Sequence, residues 1–325
     1  MEEPRVLKFL RDCDDRFVSG EEMAEALSIS RAAVWKDIEN LRRLGYAVAA
    51  IPNRGYRLVA KPDCLYPWEV QADLATSFVG RELFYFRETD STNNQAKKLL
   101  KTATPAEGAA VVAETQLAGK GRLGRQWFSP AGAGIWTSII LHPALPVADM
   151  AKLTIMAAVA VRRAVLEATG LELVIKWPND LLWAGRKVCG ILAELGGEVD
   201  RLAFLVVGIG LNVNQVAEDF PEELRETAGS LRLAAGRSLD RVVLLQALFR
   251  QVEACYLQVL KEGFAGILED CRRYSATLGQ RLTVREGART LTGVARGIRD
   301  DGGLQLELTT GELVTVYSGD TTLSV

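Results

Sequence analysis

Apolar positions in the first sixty residues recur at helical spacing. Val6, Leu7, Phe9 and Leu10 mark a first amphipathic helix. Ser19 followed by Glu22 has capping-box spacing and opens a second helix carrying Met23, Ala24 and Leu27. After the turn Ser28-Ile29-Ser30, a third helix is predicted from Arg31 to about Leu44, with Val34, Ile38 and Leu41 on its inner stripe. The pattern then turns strand-like. Residues 46–51 and 56–59 flank Pro52-Asn53-Arg54-Gly55, a set of turn residues that predicts a β-hairpin.

Beyond Cys64 strands and helices alternate irregularly, as in an α+β domain. Leu83-Phe84-Tyr85-Phe86 reads as a strand leading into a helix rich in Ala, Lys and Leu, and 109–114 as another strand. Residues 150–169 form a long helix with Leu153, Met156, Ala157, Ala160 and Val161 facing a core. The apolar strand 173–176 ends at Pro178, and a hairpin with Ala184-Gly185 at its tip follows, returning along 187–195. The strand 204–212 carries Gly208 and Gly210 on alternate positions, which mark either close ligand approach or a bulge. From about Leu278 short alternating runs separated by turns predict a small antiparallel barrel. The expected division is 1–62, 63–276 and 277–325, and residues 215–240 are too irregular to assign.

Charge changes the picture of the first region. Residues 1–29 hold four Lys/Arg against eight Asp/Glu, whereas 30–61 hold seven against two. Positive charge therefore gathers on the third helix and the hairpin, as in a winged helix-turn-helix that meets phosphates with those elements. Ser30, Arg31, Ala32, Trp35 and Lys36 on the helix and Arg54 at the wing tip are the candidate DNA contacts, with a protein-docking module as the alternative. The whole chain, at 325 residues and net charge −2, shows no such bias. Five widely spaced cysteines without C-x-x-C fit a reducing cytosol and neither a disulfide framework nor a zinc site. Glu2 and Glu3 stand where a signal peptide would be basic, and no apolar stretch approaches the ~18 residues of a membrane span. A cytoplasmic protein without membrane association is expected. The single histidine, His142, follows an apolar run at a predicted strand end, where a structural role is expected.

The candidate chemistry begins at Gly119-Lys120-Gly121-Arg122-Leu123-Gly124-Arg125, with Trp127 just after. Glycines let backbone N–H groups approach an anion and the cations supply charge. The three glycines also fit G-x-G-x-x-G. However, no helix opens after them and no acid follows about 20 residues on at the end of a second strand, so context does not support the dinucleotide reading. Ser91, Thr92 and Asn93 stand at a helix start, where they could cap it or hold a polar ligand. Lys176 ends an apolar strand, an expensive place for a cation unless it reaches an anion.

Five segments now occur in order: Asp90-Ser91-Thr92-Asn93; Gln116 with 119–130; Lys176-Trp177-Pro178-Asn179-Asp180; 185–192; and Gly210-Leu211-Asn212-Val213-Asn214. Together they resemble the biotin–protein ligase family, and with the winged helix in front its bifunctional form, the biotin operon repressor. The resemblance covers nearly the whole chain. It implies a central mixed-sheet catalytic domain with an SH3-like β-barrel behind it, and adenylation of biotin by ATP with Mg²⁺. Transfer to a lysine of a biotin carboxyl carrier protein would follow. Ser91, Thr92, Asn93 and Gln116, with backbone of Gly119 and Gly190, would hold biotin. Lys120, Gly121 and Arg122 would close over biotinyl-5′-AMP, and Lys176 would meet the biotin carboxylate and α-phosphate. Arg125, Trp127, Asn179, Lys187 and Asn212 would lie on the nucleotide side, and no protein-bound metal is implied. Lys120 stands where many members have arginine, which predicts looser retention of the adenylate. The resemblance also implies a homodimer, formed once the adenylate is bound, that reads operator DNA. A lipoate–protein ligase would share the catalytic fold, and a sensor with dead chemistry would be expected to lack Lys176 or Arg122.

Overall fold

Helices α1 (Arg5–Arg11), α2 (Gly20–Leu27) and α3 (Arg31–Arg43) are followed by β1 (Ala47–Ile51) and β2 (Gly55–Ala60), an antiparallel hairpin. The computed structural model describes residues 2–13, 16–146, 149–198, 201–287 and 289–323. Ser19 accepts a hydrogen bond from Glu22 N at 3.0 Å and Ser30 from Ala33 N at 3.1 Å, so both later helices start on side-chain caps. Val6, Leu7, Leu10, Met23, Val34, Ile38 and Leu41 are buried together, as their spacing predicts.

The chain divides into two compact units, 1–69 and 70–325. The first runs past residue 62 because the next segment packs onto it. Tyr66 stacks on Trp68, whose indole N–H donates to the Tyr46 hydroxyl at 2.7 Å. The buried Glu69 accepts from Tyr46 and pairs with Arg11. Helix α4 (Pro67–Gln71) carries the chain across the boundary.

The second unit is built on a seven-stranded sheet: β3 (Leu83–Thr89), β4 (Ala110–Gln116), β5 (Gly134–Leu141), β6 (Val174–Lys176), β7 (Asp180–Trp183), β8 (Arg186–Glu198) and β9 (Arg201–Asn212). Their order is β3-β4-β5-β9-β8-β7-β6, with only β3 and β4 parallel. Helix α5 (Thr92–Thr102) packs on β4, β5 and β9 through Ala96, against Ala109, Val111, Ile140 and Val206. Helices α6 (Met150–Thr169), α8 (Arg241–Glu262) and α9 (Ala265–Arg273) pack together, α6 also touching β8 and α8 touching β5. Strand β5 is buried along its whole length, as a central strand covered on both faces must be.

Residues 215–240 resolve into short 3-10 turns at Ala217–Asp219 and Glu222–Leu224 and the helix α7 (Leu231–Ala235). Among the described residues the carboxy-terminal region is an open sheet, not a closed barrel. Its strands β10 (Arg281–Glu286), β11 (Arg289–Ile298), β12 (Leu304–Leu308), β13 (Leu313–Val316) and β14 (Asp320–Leu323) lie in the order β13-β12-β11-β10-β14. All neighbours are antiparallel, and β13 and β14 are its two edges. Among the described residues no helix is long and apolar enough to cross a membrane.

Candidate ligand cleft and nucleic-acid face

The end of β4, the start of α5, the loop 119–127, the β6–β7 turn and the middle of β8 and β9 converge on one cleft of about 670 Å³. The expected small-molecule residues Ser91, Thr92, Asn93, Gln116, Lys120, Gly121, Arg122, Arg125, Trp127, Lys176, Asn179, Lys187, Gly190 and Asn212 all line it. Five of its lining residues are cations, set against Asp180 and Glu226 alone. Such a surplus in a concave site favours an anionic ligand.

Ser91 precedes α5 in extended conformation and its side chain makes no cap bond, so capping does not account for it. Asp90 holds that turn instead. Asn94 Nδ2 donates to it at 2.7 Å, Gln95 Nε2 at 2.8 Å and Thr89 Oγ1 at 3.0 Å. Partial burial pushes the Asp90 carboxyl up, but hydrogen bonds from Asn94, the Ser91 backbone, Thr89 and Gln95 outweigh it and bring it to about 2. Gln116 Oε1 accepts from Thr92 N at 2.8 Å and Thr92 Oγ1 at 3.2 Å, while its amide donates to Ser129 Oγ at 2.8 Å. Asn93 is drawn into the protein itself. Ser138 Oγ lies 2.5 Å from its Oδ1, its Nδ2 donates to Glu194 at 2.8 Å, and Gly208 leaves the space it fills. Asn93 therefore ties α5 to β5, β8 and β9.

The glycine-cation segment is a miniature hairpin. Lys120 bridges Gln126, Gly121 N donates to Arg125 O at 2.8 Å, and Leu123 and Gly124 turn the tip at φ 56° and 74°. Gly119 does not line the cleft; it lies beneath the loop, where a Cβ would meet Trp127 O at 2.5 Å. Arg122 Nη1 donates to Asn179 Oδ1 at 2.9 Å and to Gly319 O at 3.4 Å, while Lys120 Nζ donates to Asn94 Oδ1 at 2.6 Å. The Trp127 indole lies on Gly210 and Gly190, where a Cβ at Gly190 would come within 2.8 Å of the ring. Its buried Nε1 has no hydrogen-bond partner among the described residues. The alternate glycines thus make room for side chains over the sheet, Asn93 at Gly208 and Trp127 at Gly210.

Lys176 ends β6, opposite Asp180 in the hairpin register. Asn179 is 9% exposed and its amide donates to Ile191 O at 2.9 Å. Lys187 pairs with Asp180 at 2.7 Å and lies 5.2 Å from the Trp127 ring centroid. Asn212 is buried, with Nδ2 donating to Gly229 O at 2.9 Å and Oδ1 accepting from Gln215 at 3.2 Å. Asn214 exchanges two 2.9 Å bonds with Leu239. The Gly-x-Asn-x-Asn segment therefore anchors the 213–240 stretch, which returns Leu224 and 226–228 to the cleft wall.

Sequence reasoning missed two contributions. Gly319, Thr321 and Thr322 of the carboxy-terminal region line the cleft, for which alternation alone carries no signal. Arg241, wholly buried at the start of α8, pairs with Glu114 of β4 at 2.9 Å and donates to Gly134 O at 3.0 Å. A glutamate inside the apolar run 109–114 was the available sign, since a buried charge needs a partner. His142 lies outside the cleft at the end of β5, its N–H donating to Glu107 at 2.9 Å.

In the first unit, Arg31, Ala32, Trp35 and Lys36 lie exposed on one face of α3, Trp35 at 59%. Arg42 is instead turned back, pairing with Glu39 at 2.6 Å and donating to Val48 O at 2.9 Å. Arg54 and Arg57 stack on Phe17, 5.0 and 4.8 Å from its centroid, which holds the hairpin tip against the segment before α2.

The fold and cleft define a ligase-type α/β catalytic unit carrying a helix-turn-helix module. Residues 85–212 match the biotin/lipoate A/B protein ligase family, 4–57 an HTH domain, and 277–321 the biotin protein ligase C terminal domain. The chain is 40% identical to the bifunctional ligase/repressor BirA of Bacillus subtilis over 97% of its length and 96% of that protein. It is 34% identical to the Escherichia coli BirA over 90% and 88%. The biotin protein ligase of Aquifex aeolicus, solved with biotin and ATP, superposes with a TM-score of 0.65 at 29% identity, covering 75% of this chain and 99% of that one. The chain belongs to the biotin–protein ligase family, in its bifunctional ligase/repressor form.

Proposed function

We propose that this protein joins biotin to ATP as biotinyl-5′-AMP and passes the biotinyl group to one lysine of a biotin carboxyl carrier protein. The observation that carries this reading is the convergence of Lys176, Arg122 and Lys187 on one cleft with Gln116 and Thr92. Attack of the biotin carboxylate on the α-phosphate forms one P–O bond and breaks another, releasing pyrophosphate. Two anions must be brought together, so the work of the site is positioning and neutralisation. Lys176 meets the carboxylate and α-phosphate, and Arg122 and Lys120 close over the adenylate. Ser91, Thr92 and Gln116 hold the biotin head with the Gly190 backbone. Arg125, Trp127, Asn179 and Lys187 face the nucleotide, and Asn93 and Asn212 shape the walls. The acceptor amine then attacks the acyl carbonyl and AMP leaves. Mg²⁺ enters with ATP as part of the substrate.

The first unit reads operator DNA through Arg31, Ala32, Trp35 and Lys36 of α3, beginning at Ser30, with Arg54 of the wing on the backbone. The adenylate acts as corepressor and promotes a homodimer that spans two half-sites. The domain division 1–62, 63–276 and 277–325, an SH3-like character for the last, and a cytoplasmic location complete the reading. Incubation with biotin, MgATP and a carrier domain, followed by mass spectrometry of the carrier, tests the ligase: one added biotinyl group is expected. An unmodified carrier without detectable adenylate would refute it. Reversing Arg31 and Lys36 to glutamate should abolish operator binding and leave carrier biotinylation intact; retained DNA affinity would show that α3 does not enter the groove.

A further inference from the structure

Lys176 has neighbours that are held from the far end of the chain. Ile175 N donates to Tyr274 O and Ile175 O accepts from Ala276 N, both at 2.8 Å, so chain leading into the carboxy-terminal sheet flanks β6 as an added edge. On the other side stands Trp177, 1% exposed. Its backbone N–H donates to Thr277 Oγ1 at 3.0 Å, its indole N–H donates to Gly302 O at 3.0 Å, and its carbonyl accepts from Thr321 Oγ1 at 3.2 Å. Three separate stretches of the carboxy-terminal region thus each satisfy one polar group of a single tryptophan. Gly302 itself lies against α6, where a Cβ would come 3.0 Å from the Lys152 side chain, and its N–H donates to Arg299 O at 2.9 Å. Trp177 does not line the cleft, although Lys176 and Asn179 on either side do. The carboxy-terminal region also reaches a second cation of the site, because Gly319 O accepts from Arg122.

We propose that Trp177 is a positioning residue through which the carboxy-terminal sheet sets the place of Lys176, and with it the rate of adenylate formation. This rests on the reading that Lys176 meets the reacting carboxylate and α-phosphate. A cation that stabilises charge in the transition state acts only at the right distance, so a small displacement costs rate more than affinity. The second half-reaction, in which an amine attacks an adenylate already formed, depends less on that placement.

The test uses the full chain in two assays: biotin-dependent ATP–pyrophosphate exchange, and transfer to a carrier domain from supplied biotinyl-5′-AMP. Trp177→Phe keeps an aromatic ring, at the cost of a small cavity, and removes the N–H that reaches Gly302. It should lower kcat for exchange by about tenfold, with KM for biotin and ATP and the rate of transfer each within about twofold of the parent. Thr321→Val should lower exchange kcat by about threefold, and Thr321→Ser, which restores the hydroxyl, should recover it. An unchanged exchange kcat in Trp177→Phe, or a rise in KM alone, overturns the proposal. If Trp177→Phe loses its cooperative melt, the Thr321 pair decides, and equal kcat for Val and Ser overturns it. Lys176→Met is the benchmark: undiminished exchange in that variant would remove the underlying reading of Lys176 and leave Trp177 as structural packing.

Discussion

Two of the segments that deliver cations to the cleft are built in opposite ways. The loop 119–127 leaves the end of the interior strand β4. Leu123 at its tip is 72% exposed in a left-handed conformation, and Arg122 reaches partners on two other segments. The turn Trp177–Asn179 is sunk in the molecule, with Trp177 at 1% and Asn179 at 9% exposure and polar groups of both bonded within the protein. A segment with few buried apolar contacts opens locally at low cost, whereas a buried and bonded one moves only with its surroundings. On the proposed reading, the turn would fix the reacting centre and the loop would admit and retain what reacts there.

That contrast can be broken at its strongest point first. Lys176→Met should reduce pyrophosphate exchange by about a hundredfold to a thousandfold while the melting temperature stays near that of the parent. A loss of only a few fold would mean that the buried turn is scaffold alone. On the loop side, Arg122→Ala removes the link to Asn179 and Gly319. Exchange should fall by roughly tenfold, and the adenylate should escape faster in a chase with unlabelled biotin. Escape at the parental rate would deny the loop its retaining role. Lys120→Arg restores a planar donor next to Asn94 and should slow that escape by roughly twofold to fivefold; faster or unchanged escape counts against it.

The smallest effect concerns the base on which the loop rests. Asp90 accepts from Asn94, whose own carbonyl accepts from Lys120, so Asp90 organises the helix start beneath the loop. Its folded-state value, about 2, lies below the ordinary 3.8. A depressed carboxylate contributes stability that is present above 3.8 and fades as pH falls toward 2. Asp90→Asn should therefore melt a few degrees below the parent at pH 7, with the gap closing between pH 4 and pH 2. A gap that persists at pH 2 would trace the loss to packing instead of charge.

Much of the fold was legible because local rules suffice for it. Ser19 and Ser30 cap the helices predicted from them, Val34, Ile38 and Leu41 share a buried stripe, and Ala184 and Gly185 turn the hairpin at φ 47° and 79°. The cleft was legible for a related reason. Cations and glycines set among strand ends are costly unless a ligand uses them, and these residues do meet around one cavity. Asn93 and Asn212 lie there too, but their amides are used to hold α5 and the 213–240 segment. No spacing distinguishes an amide that faces a ligand from one that faces backbone. The carboxy-terminal strands alternate as expected, yet alternation is silent on whether β13 and β14 meet, and among the described residues they do not pair.

The sequence by itself determined most of the elements before residue 213, the basic face of α3 and the residue types gathered at the cleft, because caps, periodicity and turn chemistry act over a few residues. Only the tertiary structure decided which partners those residues took. Thr277, Gly302 and Thr321 are 100, 125 and 144 residues from Trp177, and Arg241 lies 127 residues from Glu114. Such pairs are selected when a buried polar group must find whatever the packed chain brings within reach, and that requirement exists only once the core has closed.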